Sequence, residues 1–326
     1  MILVCGGAGY IGSHSVEILK QEGYEVVVFD NLVYGHEEFV KDVPFYRGDL
    51  SNIDDIRGCF SKYKIDCVMH FSAYCYVGES VKSPEKYYYN NVVGTLNLLK
   101  VMLENNILKF IFSSTCATYG EPDLIPINEN HKQSPVNPYG NSKLMIETVL
   151  KDYERAYGLK HIIFRYFNAA GASVTGRSGE WHEPETHLIP LVLDAAIGKR
   201  DNITVFGDDY DTDDGTCVRD YVHVLDIAKA HVLGLELLNR DGLSSHFNLG
   251  SEKGFSILQI INICQKITGR KILIKKGKRR EGDPPVLIAD STKAKEVLGW
   301  KKEFSDIDTV LSTAWDWHKR LAEKKR

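Results

Sequence analysis

The chain has 326 residues, of which 43% are hydrophobic and 26% charged, and its formal net charge is -4. That length allows two domains around sizeable cores, and the balance is ordinary for a globular protein. The mild negative charge gives no reason to expect a nucleic-acid partner, and no uninterrupted apolar run approaches the ~18 residues of a membrane span. Seven cysteines, an odd number without a C-x-x-C pair or a zinc spacing, point to a reducing compartment and to no metal site. The sequence opens directly on an apolar strand with no export signal before it, so the expected location is cytoplasmic.

Residues 1–5 read as a strand that runs straight into Gly6, Gly9 and Gly12, followed by an amphipathic stretch to about Lys20. Glycines at this spacing let the backbone turn tightly and approach a pyrophosphate at a helix N-terminus, where unpaired N–H groups and the helix dipole favour an anion. A second strand, Glu25 to Phe29, ends in Asp30, at the distance expected for an acid that binds ribose hydroxyls. Asp30 favours NAD over NADP, because a carboxylate repels a 2′-phosphate and no Arg or Lys follows within the next ten residues.

Further along, Pro44 to Arg47 and Cys67 to Phe71 read as strands, with a helix near Asn52 to Tyr63 between them. A long helix over about 84–104 follows, then a strand at 109–113, a helix carrying Tyr139, and a strand at 161–165. This alternation predicts an α/β fold, a Rossmann-type doubly wound parallel sheet with helices on both faces. His70–Ala73, Ser113–Thr115 and Arg165–Asn168 then all fall at the carboxyl edge of the sheet, where such folds bind ligands. From about Ala169 the pattern becomes richer in Gly, Ser and Thr, with shorter and less regular elements. The predicted division is a nucleotide-binding domain over 1–168, with a return segment near 217–235, and a smaller mixed α/β substrate domain over 169–326.

Tyr139 and Lys143 lie four apart, so in a helix they share a face. Such a pair is often no more than a surface contact, but beside a nucleotide fold it suggests a general base: a nearby ammonium favours the phenolate and brings a group of pKa about 10 toward neutrality. Asp208–Gly215 superficially resembles a calcium loop, but its glycine is one place late and its twelfth position is Asp220 rather than Glu. The run Arg279-Arg280-Glu281-Gly282-Asp283 reads either as a charged turn or as an arginine fork for a diphosphate with a carboxylate for ribose; Arg219 would be a second phosphate ligand.

Taken together, several blocks resemble the UDP-glucose 4-epimerases of the extended short-chain dehydrogenase/reductase family. These are Gly-Gly-Ala-Gly-Tyr-Ile-Gly-Ser-His at 6–14, Phe-Asp-Asn at 29–31, Val-Gly-Glu-Ser at 77–80, Tyr-Gly-Asn-Ser-Lys at 139–143, Arg-Tyr-Phe-Asn at 165–168, Asp-Gly-Thr-Cys-Val-Arg-Asp-Tyr-Val-His-Val at 214–224 and the 279–283 run. The resemblance spans nearly the whole chain. It implies reversible oxidation at sugar C4, rotation of a 4-keto sugar, and return of hydride from tightly held NAD, interconverting UDP-galactose and UDP-glucose. By the same resemblance Tyr139 is the base, Lys143 lowers its pKa, and Thr115 relays the proton. Gly6, Gly9, Tyr10, Ile11, Gly12, Asp30, Asn31, Asp49, Leu50, Phe71, Asn90 and Phe167 match NAD contacts. Asn168, His187, Leu188, Phe206, Arg219, Arg280, Asp283 and Leu287 match the UDP-sugar pocket. A homodimer joined near 84–104 and 139–156 is also implied.

Three positions depart from the best-known bacterial members: Cys75 replaces a lysine near the cofactor phosphates, Thr115 a catalytic serine, and Leu287 a pocket tyrosine. The smaller Leu287 predicts acceptance of N-acetylated UDP-sugars. A nucleotide-sugar 4,6-dehydratase of the same fold would be expected to carry an Asp-Glu pair after Thr115, where this chain has Cys116-Ala117. Asp30 disfavours an NADPH-dependent reductase, and the intact Thr115, Tyr139 and Lys143 set disfavours a non-catalytic NAD-binding protein.

Overall fold

The computed structural model describes residues 1–280 and 283–324; Glu281-Gly282 of the 279–283 run and Lys325-Arg326 of the basic tail lie outside the described residues. Strands Ile2–Cys5, Val26–Asp30, Cys67–His70, Lys109–Thr115 and Lys160–Tyr166 are short runs rich in β-branched and aromatic residues. Apolar residues at both parities suit strands covered on both faces. They form a parallel sheet in the order 245–249, 160–166, 109–115, 67–70, 2–5, 26–30, 45–47.

Alternate strand residues enter two different cores. Val4, Val28, Met69 and Ile111 pack with Val16 and Leu19 of helix Tyr10–Gln21 and with Leu235 and Leu238 of helix Val224–Asp241. Leu3, Val27, Val68 and Phe110 face Ile56, Leu98, Met102 and Ile146 on the other side. Each such side chain contributes about 1.5–3 kcal/mol relative to exposure, before the entropy of ordering it is subtracted. Strand order reverses between 2–5 and 67–70, so the chains leaving these neighbours diverge and open a crevice.

Three features differ from the sequence expectation. The seventh strand, Ser245–Leu249, comes from beyond residue 169 and adds to Lys160–Tyr166. The segment returning to the first sheet thus runs through helix Val224–Asp241 to residue 249, past the expected 217–235. Strand formation there depends on an edge offered by a distant segment, which local periodicity does not reveal. The later elements are also not uniformly short, since helices Val224–Asp241 and Ile307–Lys324 each have 18 residues. Third, the helical rod over 84–104 carries a π-helical stretch at Tyr88–Val93 between Pro84–Tyr87 and Gly94–Glu104. Such wide turns often mark functional positions.

Helices Leu188–Ile197, Ile257–Thr268 and Ile307–Lys324 pack around strands Ile203–Phe206 and Val218–His223 in a third core. Val218–His223 pairs with Asn168–Ala170, Gly254–Ser256 and Val286–Leu287, joining four distant segments.

Helix Pro138–Tyr157 has clear punctuation. Asn137 Oδ1 accepts from Gly140 N at 2.9 Å, Pro138 occupies the first turn, and Gly158 ends the helix in the left-handed conformation at φ +74. Its rotation is fixed by Glu147, fully buried against Arg165, which is 2% exposed. Arg165 Nη2 donates to Glu147 Oε2 at 2.6 Å, Ser114 Oγ to Oε1 at 2.5 Å and Gln133 Nε2 to Oε2 at 2.9 Å. Burial alone would raise the Glu147 carboxyl, but Arg165 and these hydrogen bonds hold it below its ordinary value. A depressed folded-state pKa means that this stabilisation is present at neutral pH and is lost as pH falls through the lowered value. Arg165→Met should strand a buried carboxylate and cost about 3–5 kcal/mol, read as a lower urea midpoint at pH 7; an unchanged midpoint would contradict this account.

Candidate active site

The crevice at the strand-order reversal is closed by two loops in near contact. Gly6 has φ +76, and a Cβ there would lie 2.5 Å from Ser72 N; a Cβ on Gly12 would lie 2.1 Å from Gly6 O. Only glycine fits at either place. Gly6, Gly9, Asp30, Asn31, Asp49, Leu50, Phe71 and Asn90 line one cleft, with Ser72, Ala73 and Tyr74. The Asp30 carboxylate ends its strand inside it, accepting from Ala8 N at 3.0 Å and Leu32 N at 2.8 Å; burial raises it above its ordinary value. Asn31 donates to Asp49 at 2.9 Å and ties two strand ends together.

Three predicted cofactor residues frame this cleft without lining it. The Tyr10 hydroxyl donates to Gly171 O at 2.7 Å, Ile11 packs on the core, and Gly12 lies beneath the turn. Phe167 packs elsewhere, with Tyr119, Ile127 and Ala289. The cleft suits a dinucleotide in two independent ways. Helix Tyr10–Gln21 begins with no side-chain cap and no acid in its first turn, leaving its N-terminus open to an anion, and the turn over it has no room for side chains.

Asn91, which the sequence reading passed over, organises this region from the π-helical stretch. It bonds both backbone groups of Tyr74, at 2.9 and 3.0 Å, and donates to Ser142 Oγ at 3.0 Å, linking the cleft to the Tyr139 helix. The Asn90-Asn91 doublet inside an otherwise helical pattern was the available signal.

Thr115 ends its strand and accepts from Ala117 N at 3.1 Å, and its side chain neighbours Tyr139, where it favours the phenolate. One turn along, Lys143 is 3% exposed, donates to Ser113 O at 2.7 Å and lies 4.9 Å from the centre of the Phe112 ring. Burial pushes the Tyr139 hydroxyl well above its ordinary value and pushes Lys143 down to about 8. This departs from the expectation that the lysine alone brings the phenol into range. Desolvation penalises both charged forms, and the Lys143 amine is committed to a backbone carbonyl.

On the other side, Asn168 Nδ2 donates to Asp220 O at 2.9 Å, and Leu287 stands opposite Arg219 in the strand register. Arg219, 9% exposed, pairs with Asp283. The Arg280 guanidinium lies 4.2 Å from the centre of the Phe206 ring. Arg279 is held by Asp209 at 2.6 Å, so the adjacent arginines point to separate partners rather than forming one fork. Within the acidic stretch, Asp208 pairs with Lys276 at 2.6 Å and Asp214 accepts from Thr216 at 2.9 Å. His187 stands just before helix Leu188–Ile197 without capping it by a side-chain bond, and clusters with Glu180, His182, Glu185 and Cys75. Burial opposes charge on the imidazoles, but the glutamates raise both, His182 to about 10. Burial raises the Cys75 thiol, but the nearby positive groups His187, His182 and Lys143 together outweigh it and lower the thiol below its ordinary value.

The sequence profile of the NAD dependent epimerase/dehydratase family matches residues 2–250. The chain belongs to this family. It is 52% identical over 318 residues to a UDP-glucose 4-epimerase of Halalkalibacterium halodurans, covering 98% of this chain and 95% of that protein. The crystal structure of UDP-glucose 4-epimerase from Brucella ovis in complex with NAD superposes with a TM-score of 0.94 at 48% identity, covering 97% of each chain. The UDP-Glc/GlcNAc 4-epimerase from Campylobacter jejuni superposes with a TM-score of 0.86 at 42% identity, over 98% of this chain and 99% of that one.

In this member of the NAD-dependent family, Gly6→Ala should close the turn onto Ser72. The purified variant is expected to lack nucleotide, measured by absorbance after acid release, and full retention of NAD would contradict the packing argument.

Proposed function

We propose that this chain interconverts UDP-galactose and UDP-glucose by reversible NAD-dependent epimerisation at C4, through a 4-keto sugar. The observation that carries the reading is Tyr139 placed beside Thr115 at the end of its strand, one helical turn from buried Lys143, in a chain whose glycine turn and Asp30 cleft suit a dinucleotide. NAD, when bound, supplies a hydride acceptor and donor at C4 and, in its oxidised form, a positively charged ring.

Tyr139 takes the proton of the C4 hydroxyl and returns it after the sugar has turned, and Thr115 orients that proton. Lys143, anchored on Ser113 O, holds its ammonium one helical turn along the same face as the phenol. Because burial raises Tyr139, its activation requires positive charge beyond Lys143 alone, which couples base strength to the oxidised state of the cofactor. Arg219, Arg280, Asn168 and His187 hold the nucleotide end. Binding energy concentrated on the diphosphate and base leaves the sugar free to present either face. Cys116 follows Thr115 where an eliminating enzyme would need an acid. Burial pushes its thiol up to about 12, so it does not protonate a departing C6 hydroxyl near neutrality, which favours epimerisation over dehydration.

Leu287 and Cys116 both pack against the apolar cluster of Tyr119, Ile127, Phe167 and Ala289. We infer room there for an N-acetyl group, as in the neighbour that acts on UDP-GlcNAc. Met145 and Tyr157 on one helix and Tyr89 on the adjoining rod are exposed at 50%, 54% and 55%, which supports a homodimer through these helices. Among the described residues no helix is long and apolar enough to cross a membrane, and all seven cysteines are free, which supports a cytoplasmic location.

Proton NMR of UDP-galactose with the purified protein and no added cofactor should show the anomeric signal of UDP-glucose growing in; a 4-keto-6-deoxy product would overturn the reading. Tyr139→Phe should lower turnover by roughly 10²–10⁴-fold while the protein keeps its NAD. Leu287→Tyr should suppress turnover of UDP-N-acetylglucosamine and spare UDP-galactose, with equal loss on both substrates counting against that room.

A further inference from the structure

The loop before helix Leu188–Ile197 reads Glu180-x-His182-x-x-Glu185-x-His187, and its four chemically distinctive side chains converge. One carboxylate oxygen or ring nitrogen from each lies within 4.8 Å of all the others. His187 Nδ1 is 2.8 Å from Glu180 Oε1 and 2.9 Å from Glu185 Oε1, while His182 Nδ1 is 3.5 Å from Glu180 Oε1 and from Glu185 Oε2. Bonds of about 2.0–2.2 Å to a tetrahedral zinc ion give edges of about 3.3–3.6 Å between ligand atoms, so small adjustments would bring this set to coordination distance. His182 Nδ1 is buried and has no hydrogen-bond partner. Its two carboxylate neighbours, both 3.5 Å away, stand too far off to make a hydrogen bond to it but near enough for one ion between them to bind all three groups.

The surroundings already hold the donors in place. Glu185 Oε1 accepts from the backbone N–H groups of Thr186 and His187, both at 2.7 Å. The loop backbone is fixed by Trp317 Nε1 donating to Glu180 O at 3.0 Å and by His36 against Trp181 O at 3.1 Å. Outer contacts that orient ligand side chains are a regular feature of metal sites. A bound ion takes the place of the protons that the glutamates hold on the two imidazoles; two carboxylates and two neutral imidazoles then carry two negative charges, which one divalent cation neutralises. The expectation of no metal rested on cysteine spacing, a test blind to a mixed His and Glu set.

We propose that Glu180, His182, Glu185 and His187 bind one divalent cation of the zinc class. The His182 ring lies edge-on to Tyr10 at 6.3 Å and to Tyr76 at 6.0 Å, so the ion would pin the 180–187 loop against the glycine turn. The ion takes a positioning role: it sets His187 and Leu188 relative to the cofactor end of the cleft and takes no part in proton or hydride transfer.

The test is direct metal analysis on the NAD-loaded protein, prepared without an affinity tag or chelator, followed by titration with zinc alone and with cobalt(II) alone. The expected result is one equivalent per chain and the visible bands of tetrahedral cobalt(II). His182→Asn and Glu180→Gln should each weaken zinc at least about tenfold, whereas Cys75→Ser should leave it unchanged. Metal loss should raise KM for UDP-galactose more than it lowers kcat. Failure of the unmodified protein to take up either metal at micromolar concentration would overturn the proposal, as would equal binding by the His182 and Glu180 variants. The cluster would then be a pair of imidazolium–carboxylate contacts. A protein that epimerises normally yet binds no metal would refute this site alone, whereas one that binds the metal and does not epimerise would refute only the proposed reaction.

Discussion

The buried pairing of Glu147 with Arg165 sets how the Pro138–Tyr157 helix rests on the sheet, and the reactive end follows from it. Glu147, Lys143 and Tyr139 occupy successive turns of one helical face. Two of them are anchored on the same strand, Glu147 receiving Ser114 Oγ and Lys143 donating to Ser113 O, and Tyr139 stands beside Thr115 at its end. A helix rotated by one residue would lose both bonds, because neighbouring positions point about 100° apart. Removing either charge would leave the other desolvated without a partner, so the ion pair enforces one seating of the helix whatever its net contribution to stability.

Burial gives that seating its chemical character. A low-dielectric setting disfavours the charged forms of both Tyr139 and Lys143, yet at about 8 Lys143 still holds its proton at neutral pH. A phenol so placed is a poor base until more positive charge arrives nearby. A site arranged this way is quiet when incomplete, which suits a reaction whose intermediate ketone must not be abandoned.

The two halves of the chain share one core and are tied together by specific contacts. Tyr10 at the glycine turn reaches Gly171, His36 stacks on Trp181 with ring centres 3.8 Å apart, and strand Val218–His223 gathers Asn168 and Leu287 onto one sheet. The nucleotide cleft and the sugar-side residues therefore meet along a seam that no single segment of sequence contains.

The sequence by itself determined the elements whose signals are local. The apolar strands, and Gly6, Gly9 and Gly12 with Asp30 after them, all rest on short-range backbone geometry and periodicity. So does the placing of Tyr139 and Lys143 on one face. Only the tertiary structure decided the seventh strand at 245–249, whose pairing edge is supplied by residues 160–166 far away in the chain. It also decided the widened turn that gives Asn91 its place, the separate partners of Arg279 and Arg280, and the meeting of His182 and His187 with two glutamates. Burial and long-range pairing alone set these features, and above all the direction in which Tyr139 and Lys143 are shifted: the spacing predicts the contact, but desolvation, which depends on everything packed around it, sets the sign.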